Sequence, residues 1–475
     1  MRNADAAGVT AWVRSWAERR AIAVMPGAGD SSRSSAVPSN HVRVVNLDPR
    51  TDFGRHVYRT PACVVEPSTQ DQLAECVRRL RGARVPLTVR GAAHSADGQV
   101  LTDGGVVIST RRLCRILFDV PTHQRICVEG GALWADVVRF LRPLARQPLV
   151  LTGDLLTSVG GTLSAGGVGT ASFKQGLQIT TVTKIRVVLA NGELVTLTPD
   201  DELFRYVLAG AGQLGIIAQA EIRTRAAGPD MGVWHLQWPS AEAFAAAVLR
   251  LRTRPDLEIL RGRFYYGTTS AAPFIDSYVG VSCARSDAAP LGRAPSEVWP
   301  PDPIPDQHSA PTATQAHVSA TLRFFLPLPA GFAIWEAIQQ DLHAADLTRY
   351  MRTGSSITVL RGASTFPLAP LPDSDNCLFL GLYPEVPREN GPHAVAVVRR
   401  IADRVIQAGG RIDATSILPR MMLLEQQFGR ELGRLRELKA RLDPDGLFNA
   451  DLLGGRRAGS RNGTASHVTH LADAR

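Results

Sequence analysis

The sequence predicts a soluble α+β fold of two or three domains. A chain of 475 residues has enough length for more than one core. Residues 63–109 read as short apolar strands around one amphipathic helix. Residues 233–281 and 319–408 again mix strands with helices, and no internal repeat is visible.

Composition narrows the class. The hydrophobic fraction is 44% and the charged fraction 20%, as in soluble globular proteins. The net charge of +9 comes almost wholly from arginine, since Lys174, Lys184 and Lys439 are the only lysines. A basic balance favours small anions or acidic surfaces. No nucleic-acid-binding motif appears, so no nucleic-acid partner is expected. Arg14, Glu18, Arg19 and Arg20 interrupt the N-terminal apolar residues, which argues against a signal peptide. No run has the length of a membrane span. The six cysteines show no CxxC spacing, so neither a metal site nor a redox dithiol is expected. These features predict a cytoplasmic protein, monomer or homodimer, with a small-molecule substrate.

The elements follow in order. Apolar spacing predicts an amphipathic helix over 8–24, and Gly, Ser and Pro make 26–41 a loop. Cys63–Glu66 is a strand, and Ser68 or Thr69 caps a helix over about 70–82. Val85–Val89 is a buried strand. Further strands are read at Val106–Ser109, Arg115–Val120 and Gln124–Val128, with a helix from Glu129 to about Leu144. Asn191-Gly192 marks a hairpin between Ile185–Leu189 and Leu194–Thr198. A helix over 201–209 precedes a strand at Ile216–Ile222. Composition shifts near residue 226. Residues 233–281 read as strand, helix, strand, and 285–316 as a mobile excursion rich in Pro, Ala and Ser. Strands at 319–327 and 376–383, and helices near 329–344, 393–408 and 422–440, complete the chain before a turn at 442–449. The tail from about 455 reads as disordered.

Three stretches invite a ligand. Arg90 to Gln99 is a loop of small residues after a strand, with His94 inside it. Consecutive N–H groups in such a loop can cradle an anion; taken alone, it reads better as a glycine turn with a surface histidine. Residues 151–169 are too rich in glycine for an ordinary helix or strand interior, yet their Leu and Val residues are wrong for a flexible linker. They suit backbone wrapped around a rigid ligand. Gly210 to Gly215 matches the dinucleotide fingerprint GxGxxG. The order there is helix, loop, strand, whereas the fingerprint needs strand, loop, helix, so that reading is rejected.

Together these stretches resemble the vanillyl-alcohol-oxidase-type flavoproteins with a PCMH-type FAD-binding domain, and among them the cytokinin-dehydrogenase-like branch. The Arg90–Gln99 loop resembles RGxGHSxxGQ, Val159–Ser164 matches VGGTLS, 202–217 resembles DLFxxVLGGxGQFGII, and 442–449 resembles the closing FDP turn. The resemblance covers most of 60–225 and 405–453. It implies an FAD-binding domain of two α/β subdomains, split around a substrate domain with an antiparallel sheet flanked by helices. The expected division is an N-terminal helix and loop at 1–40, FAD-binding domain at 41–225, substrate domain at 226–408, return to the FAD-binding domain at 409–454, and tail at 455–475.

The resemblance also implies site roles. Gly91, Ala92, Ala93 and Ser95 would hold the FAD diphosphate. His94 would bond covalently to the 8α-methyl of the flavin. Gln99, Ser158, Gly161, Ser164, Val168, Ile217 and Asn449 would contact or flank the cofactor. Asp154 stands where a second, cysteinyl bond would need its cysteine, so one bond is expected. Asp154 is also the first candidate for the proton-accepting aspartate. Asp136 is the fallback, although a helix carboxylate reads better as capping or solvated. Arg261 stands where the relatives place an acidic partner for an amine, and Ile417 where they place a tyrosine. An arginine there favours an anionic substrate over cytokinin. Ala93 replaces the usual glycine, which disfavours a positive φ.

The function expected is an FAD-dependent oxidase or dehydrogenase acting on a small organic substrate in bacterial secondary metabolism. The alternative is a cyclase on the same scaffold, oxidative or redox-neutral. A flavin carrier without activity fits least well.

Overall fold

A computed structural model describes residues 6–20, 23–26, 48–118, 124–228, 230–267, 273–283, 297–299, 316–351, 354–417 and 421–449. The expected loop at 26–41 falls almost wholly outside these residues, and so does the tail from 455.

Three sheets carry the structure. The first has four strands in the order Ala23–Pro26, Cys63–Glu66, Val106–Ser109, Leu87–Arg90. Its last three strands run parallel, and the Ala23–Pro26 edge is antiparallel. Every residue of Cys63–Glu66 and of Val106–Ser109 is buried, as a strand covered on both faces requires. The helix Gln70–Ala83 packs Leu73, Val77 and Leu80 onto the sheet, and the N-terminal helix adds Val9, Val13 and Trp16. Thr69 caps the first of these by accepting from the Gln72 N–H. The N-terminal helix stops at Ala17, with a 3₁₀ turn to Arg20, and a strand follows where helix was expected.

The second sheet is antiparallel, in the order Ile116–Phe118, Arg125–Glu129, Ile216–Ala226, Val182–Val188, Leu194–Leu197. Arg146–Pro148 pairs with the far end of Ile216–Ala226. Gly192 takes φ 78 in the Asn191-Gly192 turn, which only glycine adopts cheaply. One expectation fails here. Val159–Ala165 is a short helix despite its glycines. Close packing explains it: a Cβ on Gly160 would come within 2.9 Å of the Gly130 carbonyl oxygen. The glycines let helix backbone lie directly on the turn that follows Arg125–Glu129.

The third sheet has eight antiparallel strands, in the order Glu297–Trp299, Asp230–Trp238, Phe274–Cys283, Leu257–Tyr265, Ser355–Arg361, Asn376–Leu382, Leu322–Pro327, Arg411–Ile412. Glu297–Trp299 lies inside the stretch expected to be a mobile excursion and pairs with the sheet's edge; the rest of 285–315 falls outside the described residues. Helices Ala241–Leu251, Gly331–Ala344 and Gly391–Gln407 cover one face and bury Phe244, Trp335 and Val398 against Phe264, Ile357 and Leu380. Side chains alternate along a strand, so Arg261, Arg263, Ser356 and Thr358 point to the opposite face. That face looks toward the Arg90–Gln99 loop.

The closing helix divides at Gly429 (φ 51) into Met421–Phe428 and Arg430–Leu442. Burial lowers the pKa of Lys439, which Asp443 opposes. The Lys439 ammonium donates to Asp443 and to the carbonyls of Gln213 and Phe448. Asp443 in turn accepts the N–H groups of Leu447 and Phe448, fixing the turn that ends at Asn449.

Candidate functional site

The three sheets meet around a cavity of about 700 Å³. Its floor is the His94 loop, the 152–170 segment and the 211–217 turn; its roof is the polar face of the third sheet. Gly91, Ala92, Ala93, His94, Ser95, Gln99, Asp154, Ser158, Gly161, Ser164, Val168, Ile217, Asn449 and Arg261 all line it. Asp136 does not. It sits on the helix Trp134–Leu141, ion-paired with Arg139 at 2.7 Å one turn away, and its candidacy as a base ends there.

His94 and Asp154 form a pair. The His94 Nε2 lies 2.9 Å from Asp154 Oδ2. A carboxylate there fixes a proton on Nε2. The other nitrogen, Nδ1, is buried with no hydrogen-bond partner. Asp154 Oδ1 accepts the Leu156 N–H at 2.8 Å, and Thr152 and Thr157 bond its backbone carbonyl. The carboxylate is therefore held by its own turn.

Several of these candidates also brace the site. The Gln99 side chain donates to the carbonyls of Ala414 and Ser416 and accepts the Asp97 N–H. The Asn449 amide bonds Thr88 and the carbonyls of Ala211 and Gly212, stitching three segments together. Ser164 Oγ returns to the Gly160 carbonyl. Ser158 Oγ approaches the Ala92 N–H at 3.4 Å, and a Cβ on Gly91 would stand 2.2 Å from it. Only glycine lets the loop pass that hydroxyl. Ile417 is fully buried in the core of the third sheet, where a tyrosine hydroxyl would need a partner.

Ala93 has φ 60. An alanine methyl costs about 1 kcal/mol in this region. Ala93→Gly should therefore raise stability by about 0.5–1 kcal/mol, read from urea denaturation.

On the roof, Arg261 lays its guanidinium against Gly153, with Nη1 3.2 Å from where a Cβ would stand. Arg263 is buried two residues on, on the same face. Arg323 pairs with Asp413 and Thr415. Sequence reading found Arg261 and missed Arg263, Arg323, Ser356 and Thr358. Alternation along 257–265 would have paired Arg263 with Arg261. The strand Ser355–Arg361 was overlooked despite its β-branched residues.

Beneath the loop, Asp52 is fully buried. Burial pushes its carboxyl up to about 7, Asp97 adds to this, and the N–H groups of Gly98 and Arg55 and the Arg90 charge oppose it. A raised carboxyl pKa contributes stability below the unfolded value near 4, and that contribution is lost as pH rises through 7. Asp52→Asn cannot titrate. Its melting temperature relative to the parent should therefore climb between about pH 4 and 7, as a paired thermal-melt series would record.

Residues 61–198 match the family model described as FAD binding domain. An uncharacterized oxidoreductase, ORF5 in the fasciation locus of Rhodococcoides fascians, is 36% identical over 214 residues, covering 45% of this chain and 48% of that protein. Cytokinin dehydrogenase 7 of Oryza sativa subsp. japonica is 39% identical over 180 residues, covering 36% of this chain and 34% of that protein. The chain thus spans about half or less of the length of these curated relatives. A crystal structure of 6-hydroxy-D-nicotine oxidase from Arthrobacter nicotinovorans shares the fold, with a TM-score of 0.61 over 84% of this chain and 93% of that one, at 17% identity. The site is built on a PCMH-type FAD-binding domain. Residues 61–198 are thus an FAD binding domain, and a third to under half of the chain is similar in sequence to the fasciation-locus oxidoreductase and to cytokinin dehydrogenase 7.

The residues present fit FAD. A cavity of about 700 Å³ floored by loop backbone suits a ligand of this size, and His94, whose Nδ1 is buried without a partner, lines it. Among the described residues no group of His, Cys, Asp and Glu could hold a metal, and no helix is long and apolar enough to cross a membrane.

Proposed function

We propose that the chain is an FAD-dependent oxidase or dehydrogenase acting on a small organic substrate that carries an anionic group. The observation that carries this reading is the convergence of His94, Asp154 and Arg261 on one cavity between the FAD binding domain and a polar sheet face. When bound, the flavin supplies a hydride acceptor at N5.

The chain's own residues do the rest. His94 keeps its proton on Nε2, so Nδ1 would offer the lone pair that bonds the 8α-carbon of the flavin; a methyl proton would leave to solvent, and the electron pair of the broken C–H bond would pass to the ring and then to dioxygen. Asp154 takes the proton from the heteroatom beside the carbon that is oxidised. Arg261 and Arg263 hold the anionic group from the roof, and the 152–157 turn keeps Asp154 still. A charge-assisted bond from guanidinium to carboxylate contributes about 1.5–3 kcal/mol. Arg261→Ala should therefore weaken benzoate binding by about tenfold or more, read from benzoate's perturbation of the flavin spectrum.

Purified protein should be yellow, and its flavin should bleach anaerobically with substrate. Protein that neither carries flavin nor takes up added FAD would overturn the reading. The product should lack two hydrogens relative to the substrate. An isomer of unchanged mass would instead assign the scaffold to redox-neutral ring closure.

A further inference from the structure

We propose that Asp52 is a positioning residue, which with Phe53 sets the His94 ring and the loop that carries it. The proposal rests on the reading of His94 as the flavin attachment point. Asp52 is not among the residues lining the cavity, so it acts only through others.

The residues on both sides of His94 are tied to 52–54. The Asp52 carboxylate accepts the Gly98 N–H at 2.7 Å and faces the Ser95 hydroxyl at 3.4 Å. Its other oxygen accepts the N–H groups of Gly54 and Arg55, closing its own turn. The Phe53 N–H donates to the carbonyls of Ala93 and Ser95, which flank His94 in the chain. The Phe53 ring stacks on the His94 imidazole, centroids 5.6 Å apart and planes 16° apart. Gly54 lies so close that a Cβ there would stand 2.1 Å from the Ala96 carbonyl oxygen.

This bracket is itself fixed. The buried Arg90 donates to the carbonyls of Thr51 and Asp48, pinning the 48–54 turn to the strand that leads into the loop. The Ser319 N–H holds the Gly54 carbonyl from the substrate side. His94 thus has its Nε2 set by Asp154 and its ring plane and backbone set by 52–54. In its ionised form the Asp52 side chain accepts all of these contacts, so the isosteric amide must turn its NH₂ toward a donor on one side. Either the 52–55 turn or the loop is then released.

The test uses full-length protein produced without flavin, in a riboflavin-auxotrophic host starved of riboflavin, and then given FAD. Asp52→Asn should slow formation of acid-stable flavin by about tenfold or more. The rate is read at saturating FAD and per bound FAD, so that any loss of affinity from the released loop does not enter it. A merely structural aspartate would lower thermal stability and leave the attachment rate per bound FAD unchanged, and that result overturns the proposal. A second readout does not depend on attachment. Carbethoxylation of His94 by diethyl pyrocarbonate, followed by peptide mass spectrometry, should be about fivefold faster in Asp52→Asn. If flavin in the unsubstituted protein is released by acid, the attachment reading falls and the carbethoxylation rate alone decides the bracket. Should Asp52→Asn not fold, Phe53→Leu must reproduce both effects; parental rates in that variant overturn the proposal.

Discussion

His94→Ala protein should retain no flavin after acid precipitation, whereas the unsubstituted protein should carry its flavin into the pellet. Loss should be complete, because the other histidine lining the described part of the cavity, His317, stands on the strand His317–Ser319 and not in the Arg90–Gln99 loop. Tyr350 and Tyr383 line the roof, and no cysteine lines the wall. On the attachment reading, the geometry favours one nitrogen. Nε2 is occupied by Asp154 at 2.9 Å, while Nδ1 is buried without a partner. Proteolysis of the unsubstituted protein should therefore yield a flavin peptide linked at Nδ1 of His94, assignable by NMR of the peptide. Noncovalent FAD binding should survive the substitution, since loop backbone and the 158–165 helix still floor the site. Flavin that stays acid-stable in His94→Ala would move the attachment elsewhere. The Asp52 bracket would then be judged by carbethoxylation alone.

Much of this was legible because local rules and tertiary packing agree in the FAD-binding half. Cys63–Glu66 and Val106–Ser109 are apolar except for Glu66 and Ser109, which bond each other, and both strands are buried throughout. Asn191-Gly192 turns where turn chemistry requires it. Reading stopped where a residue's role depends on a distant partner. Gly160 is helical because Gly130 passes beneath it, which no window around 160 reveals. Asp52 looks like any loop aspartate until folding places Ser95 and Gly98 against it. Gln99 and Asn449 line the cavity as expected of cofactor contacts, but their amides also bond protein segments more than two hundred residues away in sequence, which no local reading reveals. Asp136 failed for the opposite reason: its partner is one turn away on its own helix, so an acidic residue in the right stretch needed no ligand at all.

Replacing Asp154 with asparagine should cost the most activity. In protein already carrying its flavin, Asp154→Asn should lower turnover by about 10²–10⁴-fold, the range expected when a positioned base is removed. The structure separates this from collapse of the site. Thr152 and Thr157 bond the backbone carbonyl of residue 154, not its side chain, so the turn keeps its shape. The stability loss should be about 1 kcal/mol, the worth of one ordinary hydrogen bond. The amide offers one acceptor where the carboxylate offered two. Either Leu156 N–H or His94 Nε2–H loses its partner. Attachment of flavin to the unloaded variant should therefore slow as well, and the two effects are read separately: attachment rate with added FAD, turnover after loading. A loaded variant within about tenfold of parental turnover would remove Asp154 as the base and leave it as the residue that orients His94. Arg261 then becomes the discriminating control. Its guanidinium lies against Gly153, beside Asp154, yet it has no role in attachment, so Arg261→Ala should raise KM for an anionic substrate while acid-stable flavin forms at the parental rate.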